Sequence, residues 1–404
     1  MYPFLTNEFQ GIGGVIRYTP EDFQVTEIPA YPCTGDGEHV FLYIEKKNLS
    51  TIELVNRLAS QLKISTHDVG YAGQKDCHAL TRQYFSVPLR ALPYVEKINL
   101  SGVQVLSVQR HQNKLRIGHL HGNKFHILIR DYDKDKISNL SLIKDKLLEK
   151  GVPNYFGEQR FGSQNNTHII GKALLQKNGH DLLQSMFAPA PNIDSERIAK
   201  AKEYYASKEY DSAYKEMPAE FRTEKLLLKK LASGVTEDKI LSMIPKPMQT
   251  FYTCAYQSWL FNEILTDRLE NLDRIETGDL AVKHPGRTVF LVENAEIEQQ
   301  RCKLHEISPS GPIFGRKMIQ PQGKPLEREL ELLKKENITQ EMFPLDGERR
   351  SLRFFLQDVS WEVVQEGIWL NFTLPKSCYA TVVLREFIKY PQSQNFSFEN
   401  AQFD

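Results

Sequence analysis

The order of strand and helix signals along the chain is the feature that most limits its fold. Residues 168–272 are mostly helical in pattern, whereas both flanking parts carry strand signals. The strand-like segments are "DFQVTEI" 22–28, "HVFLYIE" 39–45, "RQYFSV" 82–87, "GVQVLSV" 102–108, "NKFHILIR" 123–130 and "GIWLNFTL" 367–374. A length of 404 residues allows two or three domains. The β-rich, helix-rich, β-rich order therefore predicts one domain inserted into another.

Two local patterns sharpen this prediction. Ser50 followed by Glu53 predicts a helix start with a capping box. In "NKFHILIR" the residues alternate, so that Phe125, Ile127 and Ile129 are expected to share one face of a strand. Helices are also predicted around 137–147, 250–272, 325–337 and 379–388, with a tail after residue 389.

Several classes of protein are disfavoured by missing motifs. No apolar run approaches the roughly 18 residues that span a bilayer, and no charged-then-apolar leader opens the sequence. The five cysteines include no CxxC pair, which predicts reduced thiols in a cytoplasmic protein rather than a zinc site or a disulfide framework. Neither a GxGxxG, a Walker, an HExxH nor a GxSxG sequence occurs, so we expect no metal and no nucleotide cofactor.

Charge is balanced over the whole chain but not along it. The totals are 51 basic and 51 acidic residues, so the net charge indicates no class of partner. Residues 74–130, however, hold nine basic side chains and only two acidic ones, an excess of seven positive charges. Such a segment is typical of a polyanion-binding surface, although acidic side chains elsewhere in the fold could neutralise it.

Asp76 is one of the two acids in this basic segment, within "VGYAGQKDCHALTRQYFSV" 69–87. Basic surroundings favour the ionised form of a carboxylate, which suits a nucleophile or a charged stabiliser better than a general acid. The alternative is that Asp76 caps a turn or pairs with Lys75. From the residues alone, both interpretations stay open.

These segments resemble the TruD family of tRNA pseudouridine synthases. "GYAGQKDCHALTRQYFSV" is similar to the family's catalytic segment, and "HGNKFHILIR" 121–130 to its Asn-x-Phe motif. Further similarities follow in order along nearly the whole chain: "GVPNYFGEQRFG" 151–162, "YQSWLFNEILTDRL" 256–269, "GERRSLR" 347–353 and "FTLPKSCYATVVLREFI" 372–388.

The resemblance implies a fold and a reaction. The fold class would be α+β: a mixed, mainly antiparallel sheet flanked by helices, with a large inserted α/β domain. The catalytic domain would comprise 1–150 and 355–404, and the insertion 151–354. The reaction would be isomerisation of uridine 13 of tRNA to pseudouridine, with tRNA as the partner, no cofactor or metal, no membrane, and a monomer as the expected form.

The resemblance also assigns roles to single residues. Asp76 would be the catalytic carboxylate, and Phe125 would stack on the flipped base while Asn123 hydrogen-bonds it. Phe23 would line the site, and Tyr379 would lie close to the uracil, at a position where many members carry Phe. For Phe23 and Phe125 the alternative is packing in the core. Lys75 and Arg385 are two further candidates, to pair with Asp76 or with a phosphate. The alternative for both is a structural salt bridge.

Two other classes of function fit the sequence less well. A non-catalytic RNA-binding protein would not need Asp76 within its full motif. An RNA-cleaving or otherwise base-modifying enzyme would in most versions need a metal cluster or a GxGxxG-like site for a methyl donor, and the sequence has neither.

Overall fold

The computed structural model describes residues 2–286 and 288–389. The strands are β1 Phe23–Pro29, β2 His39–Lys47, β3 Gly70–Tyr71, β4 Leu80–Pro88, β5 Val103–His111, β6 Leu120–Ile129, β7 Val152–Pro153, β8 Leu280–Lys283, β9 Val289–Leu291, β10 Ile307–Ile313, β11 Glu348–Ser351, β12 Arg353–Phe354, β13 Gln357–Val364 and β14 Gly367–Pro375. The helices are α1 Thr51–Leu62, α2 Leu92–Val95, α3 Asn139–Lys150, α4 Thr167–Leu175, α5 Gly179–Met186, α6 Glu196–Ala206, α7 Tyr210–Glu216, α8 Arg222–Ala232, α9 Glu237–Ile240, α10 Lys246–Asp267, α11 Ala295–Lys303, α12 Gly323–Lys335 and α13 Ala380–Ile388. The predicted tail lies outside the described residues.

The chain divides into two compact units. Among the described residues, the sheet unit comprises 3–152 and 354–389, and the helical unit comprises residue 2 with 153–286 and 288–353. The chain therefore leaves the sheet unit once and returns to it once.

The sheet unit is built on an eight-stranded sheet in the order β13-β14-β6-β1-β4-β2-β5, with β3 pairing at β4. Of these pairs only β1 with β4 is parallel. Helix α1 packs its apolar side on β2 and β4, where Leu54, Leu58 and Leu62 meet Leu42 and Phe85 in a buried cluster. The predicted α+β class with a mixed, mainly antiparallel sheet is confirmed.

Helix α1 begins as the sequence predicts, but only half of the capping box forms. The Ser50 hydroxyl accepts a hydrogen bond from the Glu53 backbone N–H at 3.1 Å. The Glu53 carboxylate does not return to Ser50; it pairs with Arg57 one turn along the helix. The N-cap is therefore present without its reciprocal bond.

The helical unit combines a helical cluster with a small sheet. Helices α4 to α10 enclose a buried core that includes Leu182, Leu227, Leu228 and Tyr252. The four-stranded sheet has the order β11-β10-β8-β9. No helix in the described part of the chain is both long enough and apolar enough to cross a membrane.

Candidate functional site

Asp76 lies in the loop between β3 and β4 of the sheet unit, and neighbouring side chains hold this loop by its main chain. The Thr51 hydroxyl accepts a hydrogen bond from the Lys75 backbone N–H at 2.9 Å. The Gln83 amide donates to the Gly73 carbonyl at 3.2 Å. Because Thr51 opens α1 and Gln83 lies on β4, both bonds tie the loop to fixed elements. The residues just before Asp76 are therefore anchored to α1 and β4.

The carboxylate of Asp76 is paired with Arg17. The guanidinium Nη2 lies 2.7 Å from Oδ1 of Asp76, with the side chains 21 % and 38 % exposed respectively. Arg17 also lies over the ring of Phe23, at 4.2 Å from its centre. This cation–π contact and the ion pair together fix the guanidinium between an aromatic ring and a carboxylate that solvent can reach.

Arg17 is the site residue that the sequence analysis missed. It lies outside the basic segment 74–130, and its main chain has a φ of +61°, the left-handed conformation that few residues other than glycine adopt. The Gly13-Gly14 pair just before it marks a turn, which was the available signal. That signal does not reveal which acidic residue pairs with Arg17.

The two cations considered as partners of Asp76 are engaged elsewhere. The ammonium of Lys75 pairs with Glu27 at 2.7 Å, and both side chains are almost fully buried. Arg385 donates to the Pro3 carbonyl at 3.3 Å and lies over the ring of Phe4. Among the described residues, the ion-pair partner of Asp76 is Arg17 rather than either expected cation.

Three phenylalanines from three neighbouring strands form one aromatic stack beside this pair. Phe125 on β6 stacks on Phe372 of β14 at 5.3 Å and meets Phe23 of β1 edge-on at 6.3 Å. Phe23 is 1 % exposed and Phe125 is 5 % exposed. Phe125, Ile127 and Ile129 are all buried, so the alternation read from the sequence corresponds to the structure. The stack thus connects the predicted base-stacking residue to Arg17 through Phe23.

Asn123 offers a buried acceptor on the same strand face as Phe125, two residues away. Its Oδ1 is buried and has no hydrogen-bond partner among the described residues. A buried polar atom left in this state costs about 1–3 kcal/mol. Because this oxygen is shielded from solvent, a donor from outside the protein reaches it only when neighbouring side chains move.

Tyr379 is the residue before α13 and is half-buried. Strand β14, which precedes it, ends with Leu374 opposite Asn123 and Pro375 opposite Gly122. The chain therefore enters α13 from the strand end nearest to Asn123.

The basic segment is only partly neutralised by the fold. Four of its nine cations form ion pairs with acids outside the segment: Lys75 with Glu27, Arg82 with Glu45, Arg90 with Asp68, and Arg130 with Asp22. In the described part of the chain, the remaining five form no ion pair; they are Lys97, Arg110, Lys114, Arg116 and Lys124. Two of these five, Arg110 and Lys114, donate to main-chain carbonyls, and none of the five has an acidic partner among the described residues.

Comparisons with known proteins agree on one family. The sequence model of tRNA pseudouridine synthase D (TruD) matches residues 2–387. A tRNA pseudouridine synthase D of Geotalea daltonii is 39 % identical over 396 residues, covering 96 % of this chain and 100 % of that protein. One from Thermus thermophilus is 36 % identical over 409 residues, covering 100 % of this chain and 96 % of that protein.

A solved structure points to the same family. It comes from Methanosarcina mazei, is assigned as a tRNA pseudouridine synthase D, and superposes with a TM-score of 0.82 at 26 % identity over 96 % of both chains. Together with the sequence match over nearly its whole length, this places the chain in the tRNA pseudouridine synthase D (TruD) family.

Proposed function

We propose that this chain converts uridine 13 of tRNA to pseudouridine with Asp76 as the catalytic carboxylate. As a member of its family the chain is a tRNA pseudouridine synthase, an isomerase. The observation that carries the role of Asp76 is the Arg17–Asp76 pair, in which a guanidinium 2.7 Å away orients a carboxylate that solvent can reach. Position 13 is proposed from the family resemblance.

The reaction explains why a fixed carboxylate is needed. The N-glycosidic bond of uridine must break, the uracil must turn, and a bond from carbon 5 must form. Asp76 could attack C1′ of the ribose, attack C6 of the uracil, or remove the C2′ proton in a glycal route. All three start from an ionised carboxylate at a defined distance from the sugar or the base.

The aromatic stack and Asn123 support a base pocket beside Asp76. The target base must first leave its stack in the folded RNA, at a cost of a few kcal/mol. Stacking on an aromatic ring returns about 1–3 kcal/mol per base, and we assign this role to Phe125, with Phe23 and Tyr379 completing the pocket. The unpartnered Oδ1 of Asn123 would accept a hydrogen bond from an N–H of the uracil.

The sheet unit carries both the proposed pocket and the cations of the basic segment, which supports tRNA as substrate. The residues proposed here all belong to the sheet unit, which we therefore propose as the catalytic domain, with the helical unit as the inserted domain. The five cations without acidic partners would contact RNA phosphates. We also propose that the protein is a monomer and that it lies in the cytoplasm. The cytoplasm is in keeping with five cysteines that form no disulfide.

A non-catalytic RNA-binding role is the weaker candidate. Binding alone would not need a carboxylate in a polyanion site, because its negative charge would repel the RNA. The presence of Asp76, held beside the aromatic stack, is thus better explained by catalysis.

The position of modification is tested by mapping. We expect unmodified tRNA carrying uridine 13 to gain a carbodiimide-reactive pseudouridine at that position, with no change in RNA mass, because isomerisation adds no atoms. A transcript with cytidine at position 13 is the control and should gain none. Pseudouridine at another position, an increase in mass, or an unchanged RNA would contradict the proposal.

Arg17 should be needed for turnover. Arg17→Met keeps an apolar stem over Phe23 but removes the charged hydrogen bond to Asp76, a type of bond worth about 1.5–3 kcal/mol. Single-turnover pseudouridine formation should therefore fall about 10- to 100-fold.

Arg385→Met is the matched control for this variant, because the contacts of Arg385 described above are with Pro3 and Phe4. It should lose much less activity than Arg17→Met. Equal losses in the two variants, or full activity of Arg17→Met, would show that the pair with Asp76 does not support catalysis.

Phe125 is almost fully buried, so its roles in the core and in the base pocket need to be separated. Phe125→Leu keeps most of the apolar volume and should change the free energy of unfolding by less than about 2 kcal/mol. It removes the ring that we assign to stacking, so kcat/KM should fall by the equivalent of about 1–3 kcal/mol.

Phe372→Leu is the control. It changes the β14 member of the same aromatic stack, and the ring of Phe372 is fully buried. It should match Phe125→Leu in melting temperature but keep more activity. If the two variants lose the same activity, Phe125 serves packing rather than base stacking.

A further inference from the structure

Lys46 is a buried cation in contact with the loop that carries Asp76. It lies on β2 and is 0 % exposed. Its Nζ donates to the Leu49 carbonyl at 2.5 Å and to the main-chain carbonyl of Asp76 at 3.1 Å. One ammonium thus joins the segment that leads into α1 to the residue proposed as the catalyst.

The surroundings of Lys46 are unusual for a buried lysine. Lys75 and Lys202 are similarly buried, but each pairs with a carboxylate, Glu27 and Asp194 respectively. Among the described residues, Lys46 has no carboxylate within ion-pair distance. A buried charge held only by carbonyl groups is costly, so packing alone is a poor reason for a lysine here.

The energetic cost of burying this charge lowers the pKa of the Lys46 amine. The pKa of Lys46 is lowered from 10.5 to about 8, chiefly by burial; Cys77 and Asp76 act to raise it, and the nearby Lys75 acts to lower it. Cys77 is the other group that titrates beside it; burial raises the pKa of this thiol, and Glu53 on α1 faces it. Lys46 is therefore protonated at neutral pH but loses its proton within a range that enzyme assays can reach.

We propose that Lys46 is a positioning residue for Asp76: its ammonium holds the main-chain carbonyl of Asp76 and thereby sets where the carboxylate meets Arg17 and the substrate. This inference rests on the proposed function, because it assumes that Asp76 carries out the chemistry. The hydroxyl of Thr51 and the amide of Gln83 fix the earlier part of the loop, whereas Lys46 fixes Asp76 itself.

The position of Lys46 dictates which kinetic step it affects. A side chain that is 0 % exposed cannot contact RNA, so its loss should leave tRNA affinity unchanged. A shift of the reacting carboxylate by about 1 Å can cost about 100-fold in rate. The effect should therefore appear in kcat and not in the dissociation constant.

The first experiment compares Lys46→Met with two control variants in the full chain. Lys46→Met should lower the single-turnover rate about 10- to 100-fold at pH 7.5, with tRNA affinity within twofold of wild type. Lys47→Met changes the neighbouring exposed lysine and should leave the rate unchanged. Leu58→Ala opens a cavity in the same core without touching the loop, so it should lower the melting temperature more than the rate.

The second experiment is the dependence of the rate on pH from 7 to 9.5. The wild-type rate should fall as pH rises through about 8, because Lys46 loses the charge that binds the carbonyl. Lys46→Met and Lys46→Gln should be slow throughout but lack this fall. Cys77→Ser should retain it, which separates the amine from the neighbouring thiol.

The outcomes distinguish this inference from the proposed function. Asp76→Asn, assayed in parallel, should be inactive whatever Lys46 does. If Asp76→Asn is inactive but Lys46→Met retains the wild-type rate, only the role of Lys46 is overturned. The inference also fails if the rate of Lys46→Met falls only in proportion to the folded fraction, as in Leu58→Ala. If Lys46→Met does not fold, the rate of Lys46→Gln and the wild-type pH profile test the role of Lys46 instead. A wild-type rate that stays constant through pH 8 overturns the inference.

Discussion

The pairing of β6 with two partners is the constraint on which the candidate site depends. Residues 120–129 of β6 pair with β1 on one side and with β14 on the other, so segments from the two ends of the chain become neighbours in one sheet. The register places Phe125 opposite both Val25 and Phe372. A slip of one residue would turn Asn123 and Phe125 to the other face and separate them from Phe23. The antiparallel ladder thus brings together residues that are far apart in sequence.

Around this ladder, the protein distributes its positive charges to different tasks. Lys75 forms a buried ion pair with Glu27, which ties the loop to β1. The carboxylate of Asp76 pairs with Arg17 instead. The main chain of Asp76 is held by a third cation, Lys46. Because only Arg17 of these three cations pairs with the carboxylate of Asp76, that side chain can be oriented while 38 % of it stays exposed. A carboxylate that is buried and paired with several cations would be held more firmly, but it could not reach a substrate.

The sequence predicts the fold where patterning is strong and local. The segment that forms β6 has Phe125, Ile127 and Ile129 on one buried face, and Ser50 marks the start of α1, so both elements could be found without a structure. Strand β13, Gln357–Val364, was missed, although β5, the edge strand on the other side of the same sheet, was predicted from "GVQVLSV". Both edge strands are mostly exposed, so exposure alone does not account for the difference.

The site was harder to predict because its contacts are long-range. Asp76 could be singled out from its basic neighbours in sequence, but counting charges along the chain does not reveal which cation is near in space. Arg17 is 59 residues from Asp76, and adjacent Lys75 turns out to pair elsewhere. The roles of Phe23, Asn123, Phe125 and Tyr379 came from family resemblance and remain predictions. What the structure adds is the contacts of Arg17 with Asp76 and Phe23 and the unpartnered oxygen of Asn123.

The most direct test of the account is the rate of pseudouridine formation by Asp76→Asn. The substitution keeps the size and a hydrogen-bond acceptor for Arg17 but removes the negative charge and nearly all nucleophilicity. We expect no detectable turnover, a melting temperature close to that of wild type because the side chain is partly exposed, and tRNA affinity that is equal or tighter because an anion has been removed. A variant that converts tRNA at close to the wild-type rate would show that Asp76 is not the catalyst and that the mechanism built around it is wrong.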